Sequence, residues 1–413
     1  MASDALKDRV GAIIKTLTPT LVAVSREIHG NPELGFQEFK ASALLCSELE
    51  ARGLKAEMPA YGLETAFVAE IGSEGPYVAL ISEFDALPDV GHACGHNIIA
   101  VTGLGAALAL AALADDLPGR IRYLGTPAEE GGGGKELMAR QGAFDGIDCA
   151  MMVHPSTEDL AAYPLLANAS VSVRYRGKAA HASSSPEAGL NALDALVTAY
   201  QSIAALRQHL PAGRRIHGII TNGGAAANVV PDLAEGRFVV RAPDLHDLRS
   251  LQERVSRCFE AGALATGTTA EIDWSDIVYA DMRTNWPLAE AYQRNAETLG
   301  RRFERVEDIP LSRAASTDMG NVSYLVPSIH PMIAMAPKGT AHHHRDFAMW
   351  SASDEGMRAA IDGAKALAMT ALDFMSDSTL RARVDSAFRA ASANGPSRGK
   401  ATTVPHAEMV ASK

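Results

Sequence analysis

Cys94 and His96 stand two apart in "GHACGHNIIA" (91–100). On a loop or strand edge, side chains two apart project the same way, so a thiolate and an imidazole there can meet one metal ion. The plainer reading is a packed helix start. Upstream, "SEFDALPD" carries Asp85 just after an apolar run. That is the crevice where α/β proteins build their sites, although a lone Asp there also reads as a cap. Downstream, "GTPAEEGGGG" carries the adjacent acids Glu129 and Glu130. Adjacent side chains diverge, so one can bind a metal while the other faces a water. A carboxylate beside a metal-acidified water can take its proton. A solvated acidic turn is the alternative. Glycines 131–134 weaken it, because their entropy cost makes sense where backbone must approach a ligand or metal closely. "GGGGK" is not a phosphate loop, since Lys135 is followed by Glu136 instead of Ser or Thr.

"CAMMVHP" delivers His154 at the end of an apolar run, and "GTAHHHRDF" offers His342, His343 and His344. With Cys94, His96 and Glu130 these make a sulfur, nitrogen and oxygen donor set that suits zinc, or manganese with less preference for sulfur. Each motif alone has an ordinary structural reading. Their convergence at predicted strand ends carries the weight. Farther along, His181 lies on a polar turn, Asn228 at a Gly-rich bend and Arg241 at the end of "EGRFVVR". All three could orient a substrate carboxylate or polarise a carbonyl.

These residues need a scaffold that brings strand ends together. Helical spacing predicts helices over 5–29, 37–52 and 93–114, with strands at "TAFVAEIG", "YVALISEF", "RIRYLGTP" and "CAMMVHP". A short helix, "KELMARQG", ends at Gly142. This alternation predicts an α/β layer with a mostly parallel sheet flanked by helices. Near Ser170 the pattern changes to strand, helix (188–209), two strands, helix (245–264) and strand, the ferredoxin-like order. The chain therefore reads as a catalytic domain over 1–168 and 282–390, an inserted α+β lid and dimerisation domain over 169–281, and a mobile tail over 391–413. After the insertion the reading places helices at 287–301 and 353–375, with a strand at "PMIAMA" between them.

Composition narrows the function. A formal charge of −11 argues against a nucleic-acid binder and gives no attraction to an anionic membrane. Four scattered cysteines without a CxxC pair fit a reducing cytoplasm. The N-terminus lacks a signal-peptide pattern. The apolar run "IIAVTGLGAALALAALADDLPG" could mimic a membrane span, but its glycines and flanking chemistry read as a buried helix.

"REIHGNPELGFQE", "FDALPDVGHACGHN", "GTPAEEGGGGKELM", "VHP", "GKAAHAS", "NVVPD" and "STDMGNVSY" occur in that order. Together they resemble the two-metal amidohydrolase and carboxypeptidase family containing aminoacylases, plant auxin-conjugate hydrolases and bacterial p-aminobenzoyl-glutamate hydrolase. The likeness spans about residues 20–375. "CGHN" and "STDMGNVSYLVPSIHP" look closest to the branch of p-aminobenzoyl-glutamate hydrolase and the β-alanyl-lysine-type dipeptidases. The resemblance implies Cys94 as a thiolate bridging two metals, and His96, Glu130 and His154 as further ligands. His343 matches the late ligand by its spacing to Phe347, with His342 and His344 as substitutes. It also implies Glu129 as general base, His181 as a lid histidine that stabilises the oxyanion, and Asn228 and Arg241 as substrate holders. His92 is left as a supporting residue.

Two departures stand out. Asn97 replaces an Asp common among relatives, which removes a negative charge behind the ligands. Glu83 stands where another branch has a His ligand. The expectation is a cytoplasmic homodimer with two divalent ions per subunit, Zn2+ or Mn2+. It hydrolyses a small amide, either a dipeptide or an N-acyl amino acid, and binds neither nucleic acid nor membrane. Glu129 and His181 act with Asp85 in catalysis. The alternatives are a non-catalytic metal-dependent scaffold or sensor on the same fold, and a cysteine amidase using Cys94.

Overall fold

The computed structural model describes residues 2–394. Spatial proximity divides the chain into a larger unit, Met1–Asn168 with Tyr279–Ala391, and a smaller one built on Ala169–Val278. The larger unit begins with helices α1 (Ala2–Gly30) and α2 (Phe39–Glu50), then strands β1 (Ala56–Glu57), β2 (Phe67–Ile71) and β3 (Tyr77–Glu83). Helix α3 (His96–Ala111), β4 (Arg120–Thr126), α4 (Gly134–Arg140), β5 (Cys149–Met151) and β6 (His154–Ser156) follow.

The central sheet has the order β1-β2-β4-β3-β5 and then β11 (Ser328–Ile329). It is parallel at β4–β3, β3–β5 and β5–β11, and antiparallel at its β1–β2 and β2–β4 edge. Every residue of β3 is buried, as expected of a parallel strand covered on both faces. Helix α3 is buried from His96 to Leu110 because it lies against α1, β3 and α10 (Asp354–Ser376). That all-round burial explains its membrane-like composition. Among the described residues no helix is long and apolar enough to cross a membrane.

The smaller unit runs β7 (Ala167–Arg176), α5 (Ala192–Arg207), β8 (Arg215–Asn222), β9 (Leu233–Ala242), α6 (Leu245–Thr266) and β10 (Thr269–Tyr279). Its sheet order, β10-β7-β9-β8, is the ferredoxin-like arrangement. β7 alternates buried and exposed positions, the mark of a sheet with one covered face.

The return segment adds α7 (Trp286–Thr298), α8 (Met319–Ser323), β11, β12 (Met332–Ala334), α9 (Arg345–Ser351), α10 and α11 (Ser378–Asn394). Two expectations change. "CAMMVHP" is not one strand. β5 pairs with β11 in the main sheet, whereas His154 opens β6, which pairs with β12 apart from it. The partner strand is interrupted at His330–Pro331, and Pro331 has no N–H to continue a ladder. The second change is at the C-terminal end, where 391–394 finish α11, a helix the pattern does not predict. The remainder of the expected tail lies outside the described residues.

Candidate active site and metal centre

Asp85 follows the end of β3, Glu129 and Glu130 follow β4, His154 opens β6, and Cys94 and His96 sit at the start of α3. The loop after β4 is held from beneath. The buried Glu38 carboxylate accepts the Ala128 N–H at 2.8 Å and the Thr65 hydroxyl at 2.8 Å. The Tyr279 hydroxyl donates to the Glu129 carbonyl at 2.6 Å. Ala128 itself adopts φ 56°, a strained value for a residue with a side chain.

One potential ligand atom each from Cys94, His96 and His154 lies within 4.8 Å of the others, and the same holds for Cys94, Glu130 and His343. Cys94 is common to both groups. Its Sγ is 3.5 Å from His154 Nε2. His154 donates from Nδ1 to the Pro155 carbonyl at 2.8 Å, which leaves Nε2 with a free lone pair. His96 donates from Nδ1 to Asp85 at 2.8 Å. Its Nε2 and Glu130 Oε1 are buried with no hydrogen-bond partner among the described residues. Buried polar atoms without partners are rare, and here they converge on one spot with a thiol. The donor set fits divalent metal ions with nitrogen, oxygen and sulfur affinity.

The three late histidines separate into different tasks. His343 turns into the left-handed region at φ 60°, donates its N–H to the Ala93 carbonyl at 2.9 Å, and brings Nε2 to 3.5 Å from Glu130. His342 stacks on Phe347 with ring centroids 4.1 Å apart. His344 caps α9 by accepting the Asp346 N–H.

Burial and neighbouring charges shift several groups of the site. Burial, then the charges of Glu83 and Glu130, hold the Glu129 carboxyl well above its usual range. Burial and the Glu130 charge likewise push the Cys94 thiol well above the ordinary thiol range. Burial alone would lower His96, but the Asp85 and Cys94 charges outweigh it. Burial keeps His92 neutral, down to about 3.

Residues that carry no functional signal in the sequence lie at this site. Lys135 is fully buried, ion-paired with Glu83 and bonded to Asp318 at 2.7 Å. His330 is buried with its ring 5.2 Å from that of His154. In sequence Lys135 reads only as a failed phosphate loop, and Asp318 and His330 only as parts of "STDMGNVSYLVPSIHP". Nothing in residue type marks a lysine as buried.

The protein's own packing requires part of the glycine run. A Cβ on Gly134 would lie 1.9 Å from the Pro127 carbonyl, and one on Gly132 would strike the Phe36 ring at 2.3 Å. Gly134 closes on the loop's own backbone, and Gly132 on a ring from before α2. Gly131 has open space around it. Gly134→Ala should therefore destabilise by about 1–3 kcal/mol or more, while Gly131→Ala should stay within about 0.5 kcal/mol. Urea denaturation of the two variants checks the contrast.

Asn97 is bonded through its amide nitrogen, and its buried Oδ1 has no hydrogen-bond partner among the described residues. Its amide nitrogen donates to Ser25 Oγ and to the Ser351 carbonyl, both at 2.9 Å. The carboxylate behind His96 is instead Asp85. Asn97→Asp would leave the Ser351 carbonyl without its donor and should cost about 1–3 kcal/mol without tightening metal binding. Thermal unfolding together with metal titration tests both halves of that expectation.

In the smaller unit, His181 and Asn228 come together: the Ala182 N–H donates to the Asn228 carbonyl at 3.0 Å, and His181 bridges to Val229. His181 Nδ1 accepts the Ser183 and Ser184 N–H groups, each at 3.2 Å. Its ring proton is thereby placed on Nε2. Arg241 lies near the end of β9, opposite Arg215 and 3.4 Å from His217 Nε2.

Residues 79–369 match the family model described as Peptidase family M20/M25/M40. The mouse Xaa-Arg dipeptidase is 40% identical over 382 residues, covering 89% of this chain and 88% of the relative. The p-aminobenzoyl-glutamate hydrolase of Escherichia coli K12 contributes a second relative, one of its polypeptides being 35% identical over 269 residues, covering 60% of this chain and 56% of that one. A dinuclear metal-binding M20 peptidase from Bacillus subtilis superposes with a TM-score of 0.67 at 22% identity, over 87% of this chain and 99% of that one.

Proposed function

We propose that this chain, which belongs to peptidase family M20/M25/M40, cleaves its amide bond with Glu129 as general base. Cys94, His96, Glu130, His154 and His343 would hold the metals, Cys94 being common to both groups of potential ligands. The enzyme is a metal-dependent hydrolase of amide bonds, with dipeptides or related amides as substrates. The observation that supports the residue roles is the convergence of Cys94 with the partnerless His96 Nε2 and Glu130 Oε1 beside the buried, base-strengthened Glu129.

Divalent metals, when bound, supply Lewis acidity and an acidified water. With metals so held, Glu129 would be the group that accepts a proton at its carboxylate and gives it up to the leaving amine. Its raised proton affinity suits both steps. Asp85 fixes the His96 ring through Nδ1, which keeps Nε2 available. His181, with its proton on Nε2, is a donor suited to an oxyanion. Asn228 and Arg241 hold a substrate carboxylate.

One sulfur, three imidazoles and a carboxylate favour Zn2+, with Mn2+ the second choice. The substrate class we propose is a dipeptide, or an N-acyl amino acid, with a basic C-terminal residue, after the name of the mouse relative. A cytoplasmic homodimer completes the reading. The cysteine-amidase alternative predicts activity that survives a chelator, which the metal-dependent reading does not.

Hydrolysis of dipeptides and N-acyl amino acids with a basic C-terminal residue should stop with a chelator and return with Zn2+ or Mn2+, with about two ions per chain by elemental analysis. Full activity in metal-free protein would sink the scheme.

A further inference from the structure

Glu158 follows His154 by four residues, on the chain that leaves β6. Its carboxylate is 5% exposed and already holds a guanidinium. Arg313 Nη1 donates to Oε1 at 2.9 Å and Nη2 to Oε2 at 2.7 Å, while the Thr157 hydroxyl donates to Oε2 at 2.8 Å. This is a two-pronged fork matched to a planar guanidinium.

The two side chains are not equally enclosed. The acid lies in a pinned turn. Leu160 exchanges backbone hydrogen bonds with Met332, and the Asp159 carbonyl accepts the Glu304 N–H at 3.0 Å. Arg313 ends a short turn, Leu311–Arg313, whose last carbonyl accepts the Tyr163 hydroxyl at 2.8 Å, but its side chain is 40% exposed. Met332, to which Leu160 is bonded, lies two residues past His330, whose ring is 5.2 Å from that of His154. The turn that carries Glu158 is thereby bonded to the segment that lies against the metal-binding residues.

Resting on the amide-hydrolase reading above, we propose that Glu158 is the residue that selects a guanidinium side chain on the substrate, with Arg313 as an internal stand-in that the substrate's arginine displaces. The exchange swaps one bidentate pair for an equivalent one. Glu158 is never left buried and unpaired, and the released Arg313 moves into water. A neutral side chain makes no such exchange and meets a closed fork. Lysine, a point charge without the planar fork, gains less than arginine does.

The test uses the full-length, metal-loaded enzyme and two matched dipeptides, alanyl-arginine and alanyl-citrulline. Citrulline keeps the shape of arginine and lacks its charge. Wild type should prefer arginine in kcat/KM by about tenfold or more. Glu158→Gln should collapse that preference, mainly through a raised KM for the arginine substrate. Arg313→Ala should widen it by lowering that KM. Equal turnover of the two dipeptides by wild type overturns the fork but leaves the hydrolase reading standing. A parallel fall for both dipeptides in Arg313→Ala also overturns it and makes Arg313 a holder of the substrate carboxylate. If neither dipeptide, nor any other amide, is cleaved, the hydrolase reading itself falls and the fork falls with it.

Discussion

Glu129→Gln is expected to keep its metal and lose about 10²–10⁴ of its turnover, the span a single general base commonly supplies. The substitution keeps size and hydrogen-bonding shape and removes only the ability to accept a proton. The two ligand clusters that share Cys94 do not include Glu129. A third grouping, Glu83 with His96 and Glu129, is also within ligand reach. Glu83, however, is already paired with Lys135. The variant separates the two arrangements. A base predicts unchanged metal stoichiometry with lost turnover, and a ligand predicts that metal is lost too.

Stability gives an independent reading of the same variant. Glu129 sits among the charges of Glu83 and Glu130, and its folded proton affinity is raised. A carboxylate so raised opposes folding once ionised, since the unfolded chain gives up its proton more readily. Removing the charge should leave the melting temperature of chelated protein equal or higher at pH 8. A large drop there would mean that Glu129 is a structural residue first.

The parts of this molecule that are legible in the sequence are those written in local pattern. β3 reads as a buried strand because its apolar run is continuous, and α3 reads as a core helix. Glu129 and Glu130 stand out because they end such a strand. The unpredicted helix α11 is largely polar, and its core anchors are essentially Leu380 and Val384, too sparse for a periodicity to register. The sequence puts His154 on the wrong strand because the break is imposed by the partner strand at Pro331, nearly two hundred positions away. The spacing to Phe347 singles out one of three consecutive histidines. What separates them physically is backbone and packing: the positive φ of His343, the Phe347 stack of His342 and the helix cap made by His344.

The Lys135 network is illegible for a stronger reason, and it yields the second large effect. Lys135, Glu83 and Asp318 are fully buried, and Asp318 lies 183 positions from Lys135. In sequence each looks like a solvated charge. Burial pulls the Lys135 proton affinity down, but the charges of Asp318 and Glu83 outweigh it and keep the lysine charged. Burial also pushes Asp318 up to about 6. Lys135→Met removes the cation and leaves two buried carboxylates facing each other, which should cost about 3–5 kcal/mol.

The sign of the pH response follows. Without Lys135 the folded Asp318 carboxyl still binds its proton more tightly than the unfolded one, so stability falls as pH rises through its raised range. The variant should therefore be markedly weaker at pH 8 than at pH 5.5. The combined variant Glu83→Gln, Asp318→Asn, Lys135→Met should recover most of the loss, since no charge is left unpaired. Urea midpoints of chelated protein at the two pH values decide this, and a loss below about 1 kcal/mol in the single variant would refute it. The network also ties the site together. Glu83 ends the strand that leads to Asp85, and the Lys135 N–H donates to Asp318 at 2.9 Å just after the loop that carries Glu129 and Glu130. A destabilised network should therefore loosen metal binding before the fold is lost, a sequence that metal titration along the same urea series would reveal.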